Sequence, residues 1–225
     1  MIQLDFLAVL EHWPALLRGA GFTLALSAAA AVVGVSVGVA CGWARALGPA
    51  WLQRVVGVYV ELIRNTPFIV QLFFIYFGLP SLGLKLSPEV ASIIAMVVNL
   101  GAYAAEIARA GIEGTPRGQF EAARSLALTE WQVITRVVLP PALARVWPAM
   151  VSQIVIVMLG SAVCGQISAQ ELSYAANLIQ SRNFRAFEAY IIATAIYLLL
   201  AIGVRQFLNW AGPRWIFGRV AQSGR

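Results

Sequence analysis

The chain has 225 residues, 60% hydrophobic and only 12% charged, with a mean hydropathy of +0.78. A soluble domain carries about 25% charge, so this composition excludes one and reads as an integral membrane protein folded as one helical domain over 1–225. The net charge of +6 comes from scattered arginines and a single lysine, Lys85; nucleic-acid binding would need a clustered basic patch with interleaved aromatics, whereas cations retained on the cytoplasmic side of membrane spans explain it directly.

Residues 1–18, MIQLDFLAVLEHWPALLR, mix a short apolar stretch with Asp5, Glu11, Trp13 and Arg18. They read as an interfacial strap, without the basic leader or small-residue cleavage site expected of a cleaved signal peptide. Between Arg18 and Arg45 no charge occurs, enough to cross about 30 Å of hydrocarbon at ~1.5 Å per residue. This predicts a first span over about 19–45. Gly34, Gly38 and Gly42 recur on it every fourth residue, a spacing that lets two helix backbones approach closely in lipid.

A second span is predicted over about 55–80, with Glu61, Arg64, Asn65 and Thr66 at its entrance and Pro67 bending or restarting it. Glu61 and Arg64 share a helix face. They form either an interfacial ion pair or a polar constriction facing the bundle interior. Ser87 and Pro88 start a third span over about 89–110. On it Asn99, Tyr103 and Glu106 fall on one stripe, lining a neighbouring helix or an aqueous path; the path is the reading adopted.

Residues 111–145 then leave the bilayer, with charges every few positions. Thr115 and Pro116 suit an N-cap and first helical residue, so a short helix is expected from Pro116 to about Leu128. Thr129 with Gln132 has a capping-box pattern and opens a second. Leu139-Pro140-Pro141 is expected to end it and launch a fourth span over about 146–170. That span holds Gln153, Gly160, Ser161, Cys164 and Gln166, and its central Gly and Ser allow a break. Glu171, Leu172 and NLIQSRNFR read as an exposed loop, and a fifth span covers about 186–209. Trp210, Arg214, Trp215 and Arg219 are expected to anchor the tail at an interface.

Five spans put the termini on opposite sides. With 111–145 cytoplasmic, eleven arginines (45, 54, 109, 117, 124, 136, 145, 205, 214, 219 and 225) face the cytoplasm against four outside cations, Arg18, Lys85, Arg182 and Arg185, Arg64 within the second span being left uncounted, as the positive-inside bias requires. The fold expected is therefore an all-α membrane protein of five transmembrane helices, N-terminus outside and C-terminus cytoplasmic.

Catalysis is discounted. No Gly-rich phosphate loop is present and Lys85 lies in an external loop, so no nucleotide site is expected. His12 is the sole histidine, which leaves no metal motif and no base for a serine nucleophile such as Ser161. Cys41 and Cys164 lie in apolar runs and read as inert packing. That leaves transport or structural assembly, and transport against a gradient would draw its energy through a partner acting on the 111–145 elbow.

Glu121-Ala122-Ala123 followed by Leu139-Pro140 resembles the EAA loop of permease subunits from ATP-binding-cassette importers. YVELIRNTPFIVQLFFIYFGLP, GAYAAEIARAGIEGTPRGQFEAA and NFRAFEAYIIATAIYLLL resemble the polar amino-acid class of that family, across nearly the whole chain. The resemblance implies a type I importer fold in a bacterial inner membrane, working as one of a pair of permeases with a second copy or a homologous chain. It also implies a cytoplasmic ATPase dimer that holds the ATP and Mg, an extracytoplasmic substrate-binding protein, and a small polar amino acid as cargo. No cofactor is expected on this chain. Cargo of the same transporter class could instead be an opine, a compatible solute or another amine-bearing metabolite; a non-transporting assembly or sensory protein is the other class.

By the same resemblance Arg117, Gly118, Gln119, Phe120, Glu121, Ala122 and Ala123 are coupling contacts to the ATPase. Ala127 stands where the family has a glycine; a right-handed backbone there would be cheap for alanine and a left-handed one would not. Leu159-Gly160-Ser161-Ala162-Val163 replaces a run that in the family often carries charge. The expected substrate path comprises Glu61, Arg64, Asn99, Tyr103, Glu106, Ser161 and Gln166.

Overall fold

The computed structural model describes residues 4–216. Among these the chain is helical with no strand: α1 Leu7–Leu10, α2 Trp13–Leu47, α3 Ala50–Arg64, α4 Phe68–Phe73, α5 Pro88–Glu113, α6 Arg117–Ser125, α7 Glu130–Gln132, α8 Leu139–Gly160, α9 Leu172–Asn183 and α10 Ala186–Ala211. Four helical runs are each long and apolar enough to cross a membrane, and a fifth arises if α3 and the segment Phe68–Leu82 count as one bent span. Arg219 and Arg225, assigned above to the cytoplasmic side, and the side chain of Trp215 lie outside the described residues.

Helices α2 and α5 form the frame. The stripe predicted on α2 is a packing seam: a Cβ at Gly38 would sit 2.4 Å from the Ala104 Cβ, and one at Gly42 would sit 2.7 Å from the Ala105 carbonyl oxygen. Only glycine permits that approach. α2 also begins at Trp13 with Pro14 in its first turn, so the span helix starts earlier than the charge gap suggested. The strap shrinks to α1, pinned where the Asp5 N–H donates to the Glu188 carboxyl at 3.1 Å.

The second predicted span is sharply divided. α3 and the Phe68–Leu82 segment meet at 108°, with Pro67 extended between them (φ −63°, ψ 139°). Proline cannot donate to the preceding turn and disfavours a helical residue before it. The fifteen residues of α3 give a rod of about 22 Å, short of the hydrocarbon thickness, with Val56, Val60 and Ile63 buried and Trp51, Val55, Val58 and Leu62 exposed. α5 begins where expected, Ser87 Oγ accepting from the Val90 N–H at 3.3 Å.

The elbow between α5 and α8 has two helical arms, with three corrections. Thr115 does not cap α6: it is buried and its hydroxyl turns back to the Gly111 carbonyl, leaving extended Pro116 at the cap position. Pro140 and Pro141 do not end the second arm. The chain runs from α7 through a π-helical stretch, Val133–Val138, directly into α8, because the wider turn absorbs the two missing N–H groups. Ala127 is left-handed, φ +54°, so the cheap alternative for this position is not the one adopted. The capping box at Thr129 and Gln132 forms as its spacing predicts.

The break expected near Gly160 is a 3-10 stretch, Ser161–Ile167, ending at left-handed Ser168. The segment read as an exposed loop is largely a helix, α9. Leu172, Ala175, Ala176 and Ile179 are buried on it and pack with Leu16 and Ala20 of α2 and Ala189 and Ala193 of α10. That i, i+3, i+4, i+7 pattern was present in LSYAANLI, muted by its alanines.

Candidate functional site

α4, α5 and α8 enclose a cavity of about 430 Å³ lined by Thr66, Pro67, Phe68, Asn99, Tyr103, Gln153, Ile156, Val157 and Gly160. Asn99 lies fourteen positions before the end of α5 at Glu113, and Gln153 fourteen positions after the start of α8 at Leu139. At ~1.5 Å per residue each is roughly 20 Å along its helix from the elbow, a depth near the middle of a bilayer. The polar lining is neutral, made of two amides, a phenol and a hydroxyl; no charged side chain belongs to it.

The α3–α4 bend supplies one wall, and a buried glutamine holds it. The Gln71 amide nitrogen reaches the Ile63 carbonyl at 2.7 Å, the Thr66 carbonyl at 3.0 Å and the Thr66 hydroxyl at 2.9 Å. The two carbonyls are backbone acceptors freed where Pro67 interrupts the helix. The Gln71 side-chain oxygen in turn accepts from Asn99 at 3.0 Å, tying the bend to α5. Sequence reading missed Gln71 as a site residue; its signal was a lone amide inside the apolar run FIVQLFFIYF, where a buried polar group must find partners.

Of the predicted path residues, Asn99 and Tyr103 line this cavity and Gln153 joins them. Glu106 does not. It is the hub of an ion cluster below the cavity: one carboxyl oxygen accepts from Arg45 at 2.9 Å and from Arg64 at 3.1 Å, the other from Arg109. Arg109 also reaches Glu113 at 2.7 Å. Glu106 stays on the Asn99–Tyr103 stripe of α5, but Arg45 and Arg64 reach it from the ends of α2 and α3 and close it off. Glu61 is exposed and accepts from Asn65, while Arg64 pairs with Glu106 in its place. Ser161 is buried, its hydroxyl donating to the Met158 carbonyl at 2.6 Å. Gln166 faces a separate recess of about 350 Å³ beside Ser173, Tyr174 and Asn177.

On the elbow, Arg117, Gly118, Gln119, Glu121 and Ala122 are exposed along α6. Ala123 is buried and packs with Ile112, Val133, Val138 and Ala142, while Phe120 is half-buried against the same cluster. These two seat the helix, and the residues between them present it. A shallow depression runs between Leu47, Arg117, Phe120, Glu121 and Arg124. Arg124, absent from the predicted contacts, pairs with Glu130 at 2.9 Å and braces the two arms.

Residues 14–217 match the model of the family described as binding-protein-dependent transport system inner membrane component. The chain belongs to this family. It is 34% identical over 203 residues to the glutamine transport system permease protein GlnP of Escherichia coli K12, covering 89% of this chain and 93% of that one. It is also 33% identical over 191 residues to the L-cystine transport system permease protein TcyB of Bacillus subtilis 168, covering 84% and 82%. A crystal structure of an amino acid ABC transporter with histidines superposes with a TM-score of 0.83 at 34% identity, covering 93% of this permease and 98% of that chain. The methionine transporter MetNI, at 22% identity and a TM-score of 0.68 over 86% of this chain and 94% of that chain, shares the fold.

Proposed function

We propose that this permease forms half of the translocation path of an ATP-driven importer for amino acids with uncharged polar side chains. The observation that carries the reading is a shared pair of helices. α5 and α8, which wall the neutral cavity, are also the two helices that the elbow joins. A push on α6 is therefore delivered to both walls of the cavity at once. Rigid helical elements transmit displacement in this way. The relative named for glutamine transport agrees with a cargo whose side chain needs no counter-charge. In a low-dielectric cavity, amides and a phenol solvate a neutral polar group well and an unpaired charge poorly.

In this reading α6 docks on a cytoplasmic ATPase dimer that holds the ATP and Mg, and an extracytoplasmic binding protein delivers cargo. A second permease, a copy of this chain or a homologue, completes the path. The chain lies in a bacterial inner membrane, N-terminus outside and C-terminus cytoplasmic, and binds no cofactor itself. Proteoliposomes containing the permease and ATPase, supplied with the binding protein and a panel of labelled L-amino acids, test this. ATP-dependent uptake of a neutral polar amino acid, lost in Glu121→Arg, is the expected result. Unimpaired uptake in that variant overturns the assignment of α6, and uptake confined to basic or acidic amino acids overturns the cargo class.

A further inference from the structure

An amino acid carries a carboxylate whatever its side chain, and a carboxylate entering a low-dielectric cavity needs a cation or several strong donors. The cavity lining contains no cation. The nearest candidate at its rim is Arg64, whose guanidinium carbon lies 5.5 Å from the centroid of the Tyr103 ring. Tyr103 itself lines the cavity, as do Thr66 and Pro67 immediately after Arg64.

Arg64 is also the least committed of the three arginines on Glu106. Its side chain is 38% exposed, against 17% for Arg45 and 32% for Arg109. Its contact is a single Nη1 donor at 3.1 Å, on an oxygen that Arg45 already holds at 2.9 Å. Arg109 holds the other oxygen. Glu106 would thus keep a cation on each oxygen if Arg64 left, so removing Arg64 leaves no buried carboxylate bare. A guanidinium also has five donors in a planar fork suited to bidentate carboxylate binding, and Arg64 spends one of them on Glu106.

We propose that Arg64 is an exchangeable cation with two partners, Glu106 as seen here and the α-carboxylate of a zwitterionic cargo in the cavity. This rests on the importer reading above and adds a named binding residue to it. Glu106 then acts as a competitor that sets how tightly cargo is held, with Tyr103 as the platform over which the guanidinium swings.

Binding to the permease–ATPase complex in nanodiscs, without the binding protein, isolates the permease's own preference. Each L-amino acid transported in the uptake panel is compared there with its α-carboxamide. The unaltered complex is expected to prefer the acid by about tenfold, in keeping with one charge-assisted contact. Arg64→Gln is expected to abolish that preference by weakening the acid alone, Arg64→Lys to keep part of it, and Glu106→Gln to tighten acid binding several-fold. An acid preference that survives in Arg64→Gln overturns the proposal, as does weaker acid binding in a monodisperse Glu106→Gln complex. If no amino acid is transported in the uptake panel, the importer reading fails first. Transport with no acid preference at the permease overturns the Arg64 assignment alone.

Discussion

Gln71 and Asn99, 28 positions apart, share a buried hydrogen bond of 3.0 Å that fastens the α3–α4 bend to the middle of α5. Because the Gln71 nitrogen also serves carbonyls on the near side of the bend, one side chain fixes both the angle of the break and its distance from the cavity.

Gln71→Leu keeps the volume and removes every one of these bonds. It leaves the Ile63 carbonyl and the Asn99 amide without this partner inside the protein, a loss of about 1–3 kcal/mol per stranded group. The purified variant should melt lower than the parent, and its uptake should fall because Thr66 and Pro67 no longer hold their wall of the cavity. Asn99→Ala removes only the bond to α5 and leaves Gln71 on the Ile63 and Thr66 carbonyls, so it tests one half of the link alone. An unchanged melting curve for Gln71→Leu would show that the bend is held by Pro67 and packing alone.

Ala127 presents a different kind of opportunity. A left-handed alanine sits about 1–2 kcal/mol above its right-handed form, and glycine does not incur that penalty. Ala127→Gly is therefore expected to stabilise the elbow by about 1 kcal/mol, net of the freedom glycine gains when unfolded. Slower amide exchange across α6 and the following turn would register it. Ala127→Val, adding a branched Cβ at the same φ, should speed exchange there.

The seam between α2 and α5 allows a matched comparison. A Cβ at Gly38 collides with Ala104 and the backbone of Ala105, whereas one at Gly21 meets nothing within 4 Å. Gly38→Ala should destabilise the protein by about 1–3 kcal/mol through overpacking. Gly21→Ala should be neutral or slightly stabilising, since alanine favours helix. Thermal melting of the two side by side reads the difference; equal curves would mean that α2 can slide along α5 without penalty.

What could be read from the chain beforehand follows from which forces act locally. Charge-free runs mark spans because lipid penalises every charge individually, so the helices were visible in the spacing of arginines from Arg18 to Arg145. The glycine stripe was visible for the same reason: its period is a property of one helix. Asn99 and Tyr103 were found by helical spacing. Glu106 lies on the same stripe, yet its surroundings come from Arg45 and Arg64 on other helices, and no periodicity within α5 can report them. Gln71 and Ala127 were harder to read in a further sense. One is defined by the acceptors that Pro67, four positions earlier, frees on the other side of the bend, and the other by a backbone angle that the residue type argues against.

Glu171 shows most clearly how much a single buried polar residue organises. It has no exposed surface, and it caps α9 by accepting from the Tyr174 N–H at 2.8 Å. The same carboxyl oxygen meets the Ser173 hydroxyl, and the other meets the Tyr197 hydroxyl of α10. Beside it the Leu172 N–H donates to Thr23 on α2 at 3.2 Å, so three helices converge on the start of α9. Glu171→Leu removes the cap and the carboxyl that accepts from the Tyr197 hydroxyl, which keeps Thr23 and the Ser173 backbone beside it, and the combined loss should be about 2–3 kcal/mol. Tyr197→Phe removes the hydroxyl's bonds and leaves the cap, with an expected loss of about 1–2 kcal/mol. Because α9 is clamped between α2 and α10, the Leu variant should open to proteolysis between Leu172 and Asn183 before the rest of the protein unfolds. If limited proteolysis cuts elsewhere first, the buried apolar face of α9, and not Glu171, is what holds it in place.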